Sequence, residues 1–163
     1  MEKIYGAKER QDGLYSIGRN KWELFYGFGK DNPDDESGYN WRQKFKQKPS
    51  LADIRAIIKE TINNETDHKI IEGFVWKGMP VWLSTENQFN YKAAYDLAVQ
   101  TNGATLPVRF KFGTDAAPVY YNFESLEDFA DFYTQAMVHI NTVLNEGWTE
   151  KDLADSITFE TDE

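Results

Sequence analysis

Residues 70–84 read IIEGFVWKGMPVWLS: two short apolar runs on either side of Lys77-Gly78. A dipeptide ending in glycine, which takes a positive φ without strain, is what a two-residue hairpin turn requires. Thr85 then opens a helix. Further on, LPVRFKF (106–112) and PVYYNF (118–123) flank Gly113-Thr114-Asp115-Ala116, and Ser125 opens another helix. The order ββα-ββα predicts an α+β fold in which the two hairpins form one antiparallel sheet, each followed by a helix packed on its apolar face.

The alternation within the runs says which side chains point inward. Leu106, Val108, Phe110 and Phe112 share one face and Arg109 and Lys111 the other, while Val119, Tyr121 and Phe123 alternate with Tyr120 and Asn122. In the first hairpin Phe74, Trp76, Val81 and Leu83 share a face, which leaves Val75 and Trp82 opposite. Helix starts are marked by a hydroxyl followed three residues later by an acid or amide: Ser50/Asp53, Thr85/Gln88, Ser125/Asp128 and Thr149/Asp152. The predicted helices run over about 51–63, from Thr85, over about 126–146 and over about 150–155, with Gly147 as a stop and Trp148 folded back as an anchor. Their apolar stripes are Ile54, Ile57, Ile58 and Ile62; then Tyr91, Ala94, Leu97 and Ala98; then Phe129, Tyr133, Ala136, Met137, Ile140 and Leu144.

Upstream, LYSI and WELFYGF around Gly18-Arg19-Asn20-Lys21 predict a separate N-terminal hairpin over 13–29, and the acidic stretch 31–38 a loop or linker. The expected organisation is an N-terminal hairpin and linker (1–47) suited to attachment or oligomerisation, an α+β core (48–156) that starts with a helix, and a flexible acidic tail (157–163).

Composition removes several function classes. Twenty-seven acids against eighteen bases give a net charge of −9, which disfavours phosphate backbones and anionic lipid, so nucleic acid is not an expected partner. With no cysteine, disulfides, thiolate catalysis and Cys-ligated zinc are all excluded. No apolar run approaches the roughly 20 residues of a membrane span, and the N-terminus lacks the apolar core of an export signal. Synthesis in the cytoplasm without membrane insertion is the expectation.

No constellation points to catalysis. His68 stands where a strand is expected to begin, His139 lies beside the apolar stripe of the long helix, and neither has a second histidine at ligand spacing. Glu124, Glu127, Asp128 and Asp131 are accounted for by the positive end of a helix dipole. The aspartates at 31–36 lack the glycine and terminal glutamate of a calcium loop, and Gly27-Phe28-Gly29 lacks the rest of a dinucleotide fingerprint. Catalytic, cofactor and metal residues are therefore expected to be none. The aromatics Trp22, Phe25, Trp41 and Trp82 are the candidates for contact with a protein partner or a sugar. Trp76 shares the aromatic character but belongs to the expected core face.

From His68 to about Ser156 the chain resembles a domain of unknown function found in phage and prophage tail-associated and tail-fibre proteins. The resemblance is carried by Gly73, Trp76, Gly78, Val81, Ser84, Gln88, Asn90, Phe123, His139 and Ile140, within GFVWKGMPVWLSTENQFNYKAAYDLA and FESLEDFADFYTQAMVHINTVLNEGW. It implies a non-enzymatic virion structural or assembly component, made in the host cytoplasm, with self-association or other virion proteins as partners. It brings no catalytic residues. Beside it stand a carbohydrate- or protein-binding module that uses exposed aromatics and, third, a small glycan-degrading enzyme.

Overall fold

The computed structural model describes residues 1–159. In chain order its elements are β1 (Glu2–Ala7), β2 (Gly13–Gly18), β3 (Lys21–Gly29), β4 (Gly38–Phe45), α1 (Leu51–Glu72), β5 (Phe74–Trp76), β6 (Met79–Val81), α2 (Thr85–Gln100), β7 (Val108–Gly113), β8 (Pro118–Phe123) and α3 (Leu126–Ser156). The fold is α+β, with every strand pair antiparallel. The chain forms two compact units, Met1–Asn63 with the residues from Thr149 on, and Asn64–Trp148.

The first unit is built on a four-stranded sheet of order β1-β4-β3-β2. The expected N-terminal hairpin exists as β2–β3, but it is half of this sheet and not a separate body, because β4 pairs with β3 and β1 closes the far edge. Residues 31–37 accordingly connect two neighbouring strands. They are pinned by hydrogen bonds from Asp35 N to Asn32 O and from Asn32 N to Asp35 Oδ2, both 3.1 Å. Leu24 and Tyr26 of β3 pack with Ile54, Ile58 and Ile62 of α1 and with Ala154 and Phe159. Phe159 is buried and Ile157 packs against the same cluster, so the start of the expected acidic tail is core, because its two apolar side chains find a dry surface. Residues 160–163 of that tail lie outside the described residues.

The second unit carries the repeated hairpins. Lys77 and Gly78 both have positive φ, 49° and 76°, as a tight primed turn demands. Phe74, Trp76, Val81 and Leu83 are all buried, with Val75 and Trp82 outward. The two hairpins do not join into the single expected sheet: β5–β6 and β7–β8 are separate two-stranded ribbons. β5 and β6 are three residues each, since α1 runs to Glu72 on one side and Ser84 turns the chain into α2 on the other, which leaves no length for a ladder to β7. Aromatic packing takes over. Trp76 is 1% exposed, with ring centroids 4.9 Å from Tyr121, 5.3 Å from Phe132 and 5.4 Å from Phe123, and Phe123 stacks on Phe129 at 4.4 Å. Such pairs add about 0.5–1.5 kcal/mol each beyond their area.

Two expected helix boundaries fail for one reason. α1 continues from 63 to 72 and so takes in His68, and α3 runs unbroken past Gly147 and Thr149. Gly147 is a point of close approach: an added Cβ would lie 2.5 Å from Thr66 Oγ1. Trp148 continues the helix and is exposed, not folded back as the expected anchor. The α3 stripe is also turned from the expected one, with Phe132 and Val143 buried and Met137 exposed.

Candidate functional site

Trp82 stands at the mouth of a groove of about 510 Å³ in the second unit, which is also lined by Glu72, Asn87, Lys111, Phe112 and Asp115. Strand alternation sends Val81 and Leu83 inward and leaves the indole 52% exposed. The cap of α2 fixes its backbone. Ser84, one residue before the expected Thr85, is the cap residue, and its Oγ accepts from Asn87 N at 3.2 Å. Asn87 Nδ2 donates to Trp82 O at 2.8 Å and Gln88 Nε2 to Leu83 O at 2.7 Å. Across the groove Lys111 Nζ lies 3.6 Å from Asp115 Oδ1, while Glu72 is 3.4 Å from His68 Nδ1. An aromatic plane ringed by two carboxylates, one ammonium and one amide suits a ligand with an apolar face and many hydroxyls, and repels anions.

At the tip of the first hairpin is a second polar cluster. Lys77 Nζ lies 4.4 Å from the centre of the Trp76 ring and bonds both Asp128 and the Tyr121 hydroxyl, the latter at 3.1 Å. Tyr121 donates to Asp128 at 2.5 Å, and Trp76 Nε1 donates to Asp131 at 3.0 Å. The hydrogen bond to Asp128 holds Lys77 above the ordinary ammonium range and also raises Tyr121. Bonds from Gln135 and Trp76 hold Asp131 below the usual carboxylate range. The cluster is a latch of the hairpin on α3. Asp128 and Asp131, explained by the helix dipole when read along the sequence, have this cross-chain work as well. The only signal for it was the spacing that puts both acids on the first turns of α3.

Both histidines are held by main chain or by a neighbour. His139 Nε2 lies 3.0 Å from Lys69 O, a contact that requires the nitrogen to carry the proton, and its ring packs on Phe74 at 5.4 Å. A shallower hollow of about 430 Å³ lies beside it, lined by Phe74, Val75 and Val138 among others. No group of three His, Asp or Glu among the described residues is placed to hold a metal ion.

The four aromatic candidates do not make one site. Trp22 and Trp41 share the face of Leu24 and Tyr26, while Phe25 points to the other face. All three are only partly accessible. Lys48 caps Trp22 at 5.2 Å, Lys3 reaches Tyr39 at 4.1 Å and Trp41 at 5.5 Å, and Phe25 meets Tyr15 at 6.1 Å. The same unit holds a charged cluster the sequence did not announce: Arg10 binds Asp12 at 2.7 Å and Glu150 at 2.9 Å, and Tyr26 donates to Glu150 at 2.6 Å. Burial, and then the bond to Glu150, push the Tyr26 hydroxyl well above its ordinary range. Of the four, Trp82 is the one whose side chain is exposed, and it lines a groove.

No helix among the described residues is long and apolar enough to cross a membrane. No curated protein and no solved structure matches the chain. One family does, over residues 53–163, a wider span than the 68–156 read from the residues themselves. With about two thirds of its length matched, the chain belongs to the family described as a domain of unknown function (DUF4376).

Proposed function

We propose that the chain is a non-enzymatic, phage- or prophage-encoded tail-associated protein, a structural piece or its assembly partner, that works by binding through exposed aromatic surface. The observation that supports this most is Trp82, a half-exposed tryptophan beside a groove, on a turn held by three hydrogen bonds from the first turn of α2. Rigid exposed aromatics of this kind favour recognition over chemistry. The tail context itself rests on the resemblance of residues 68–156. Its test is mass spectrometry of particles purified from an induced lysogen that carries the gene. Tail-stoichiometric amounts, or presence in tail assembly intermediates, support the reading, and absence from both overturns it.

A second reading, carbohydrate binding, is favoured by the same groove, where a sugar ring would stack on the indole and exchange hydrogen bonds with Glu72, Asn87 and Asp115. A glycan-degrading enzyme would need a carboxyl shielded from water to keep its proton near neutral pH. Asp115 has its side chain fully in solvent, which favours binding over hydrolysis. Quenching of tryptophan fluorescence by a neutral glycan, lost in Trp82→Ala, would support this reading, and an unresponsive glycan array would remove it.

A further inference from the structure

The tryptophans of this chain differ in what lies against their rings. Lys48 stands 5.2 Å from the ring centre of Trp22, Lys3 5.5 Å from that of Trp41 and Lys77 4.4 Å from that of Trp76. Trp82 has neither a cation nor another ring against it among the described residues, although its indole is 52% exposed and lines a groove. The same groove holds two carboxylates, Glu72 and Asp115, against a single ammonium, Lys111. Glu72 meets His68 at 3.4 Å and Asp115 meets Lys111 at 3.6 Å, both longer than a good hydrogen bond, so each carboxylate keeps acceptor capacity. Asn87 uses its Nδ2 on Trp82 O, which leaves its amide oxygen as a third acceptor. The first unit shows how such groups combine when the cation belongs to the chain itself. There the Arg10 guanidinium lies 4.8 Å from the centre of the Tyr26 ring and binds the carboxylates of Asp12 and Glu150 at 2.7 and 2.9 Å.

We infer that the groove receives an arginine side chain of a partner protein, with the guanidinium face on the Trp82 indole and its N–H groups on Glu72, Asp115 and Asn87. The inference rests on the reading of Trp82 as a binding surface and names the group it binds. A guanidinium is flat, weakly hydrated on its faces, and has five donors and no acceptor, so it meets a bare ring and a surplus of acceptors together. A lysine ammonium has no flat face to lay on the indole, and sugar hydroxyls call for donors as well as acceptors. The net charge of −9 draws a basic partner to the surface, and within the groove Lys111 is the charge that opposes it.

The test titrates the full chain with a blocked glycine-arginine-glycine tripeptide, with its citrulline analogue, which keeps the flat shape and loses the charge, and with a neutral oligosaccharide. The readout is the indole N–H resonance that disappears in Trp82→Phe. The arginine peptide should move that resonance saturably, and the citrulline peptide should bind about tenfold more weakly, a difference that added salt reduces. Glu72→Gln should weaken arginine binding and Lys111→Gln should tighten it. Citrulline bound as tightly as arginine, or an arginine peptide that Lys111→Gln weakens, overturns the inference. A resonance that follows the oligosaccharide and ignores arginine overturns it and leaves Trp82 a binding surface. One that ignores every probe overturns it too, while mass spectrometry of particles decides the tail reading separately.

Discussion

The two units solve the same problem by different means. In the first, the four-stranded sheet presents a face whose fully buried members are Leu24 and Tyr26, and α1 adds a row of isoleucines. Hydrogen-bonded ladders fix the geometry there and modest aliphatic packing completes it. In the second, two ribbons of two strands could not stand alone in water, and the interior is a continuous aromatic network: Phe74, Trp76, Phe112, Phe123, Phe129 and Phe132, with Tyr91 among them. The lesson is that side-chain interlocking replaces ladder length. The sheet-based unit should tolerate loss of one side chain better than the ring-based unit, where each ring supports several others.

The most severe test of that contrast is Trp76→Ala. The indole touches four aromatic rings and donates to Asp131. Its removal should cost about 3–5 kcal/mol in urea unfolding, and amide protection should fall at Phe112 and Phe123. Leu24→Ala should cost about 3 kcal/mol, with protection lost in β3 and β4. Equal loss of protection throughout the chain in both variants would mean that the two cores are not distinct.

A gentler probe uses the buried tyrosine of each unit. Burial pushes Tyr91 up to about 12 from an ordinary value of 10, and Tyr26 is raised further by burial and by Glu150. A raised acid binds its proton more tightly in the folded state, so its contribution is complete below pH 10 and is lost as pH climbs from 10 to 12. Chemical denaturation between pH 9 and 12 should show stability falling through that window. Tyr91→Phe should flatten the part of the slope belonging to the second unit and Tyr26→Phe the part belonging to the first.

Smallest is the effect of the cap. Ser84→Ala removes the Oγ acceptor for Asn87 N and should cost about 1 kcal/mol, with a red shift in tryptophan emission if loosening the turn wets Trp82. Unchanged emission would show that β6, and not the cap, sets the indole.

Much of the second unit could be read along the chain, because its turns, caps and alternation are local events. Lys77-Gly78 takes the turn expected of it, Ser125 caps its helix by accepting from Asp128 N, as Ser50 does from Asp53 N in the first unit, and Phe110 and Phe112 face the core side. The candidate groove was legible only as Trp82. Glu72, Lys111 and Asp115 are brought to it by β-ribbon and helix geometry that spacing in the sequence does not encode.

What the sequence determined by itself is therefore the set of short-range devices: hairpin turns, capping hydroxyls, the inward side of the strands in the repeated hairpins, and the α+β class. Tertiary structure decided the rest. β1 and β4 are strands because each finds a partner across the sheet, and Glu2–Ala7 has no such partner within its own segment. Gly147 reads as a stop until Thr66 is packed against it, and then a missing side chain is the condition for helix contact. The hairpins are two ribbons and not one sheet because helices take the residues that a longer ladder would need. In each case a contact distant in sequence outweighed a local preference worth about a kcal/mol or less.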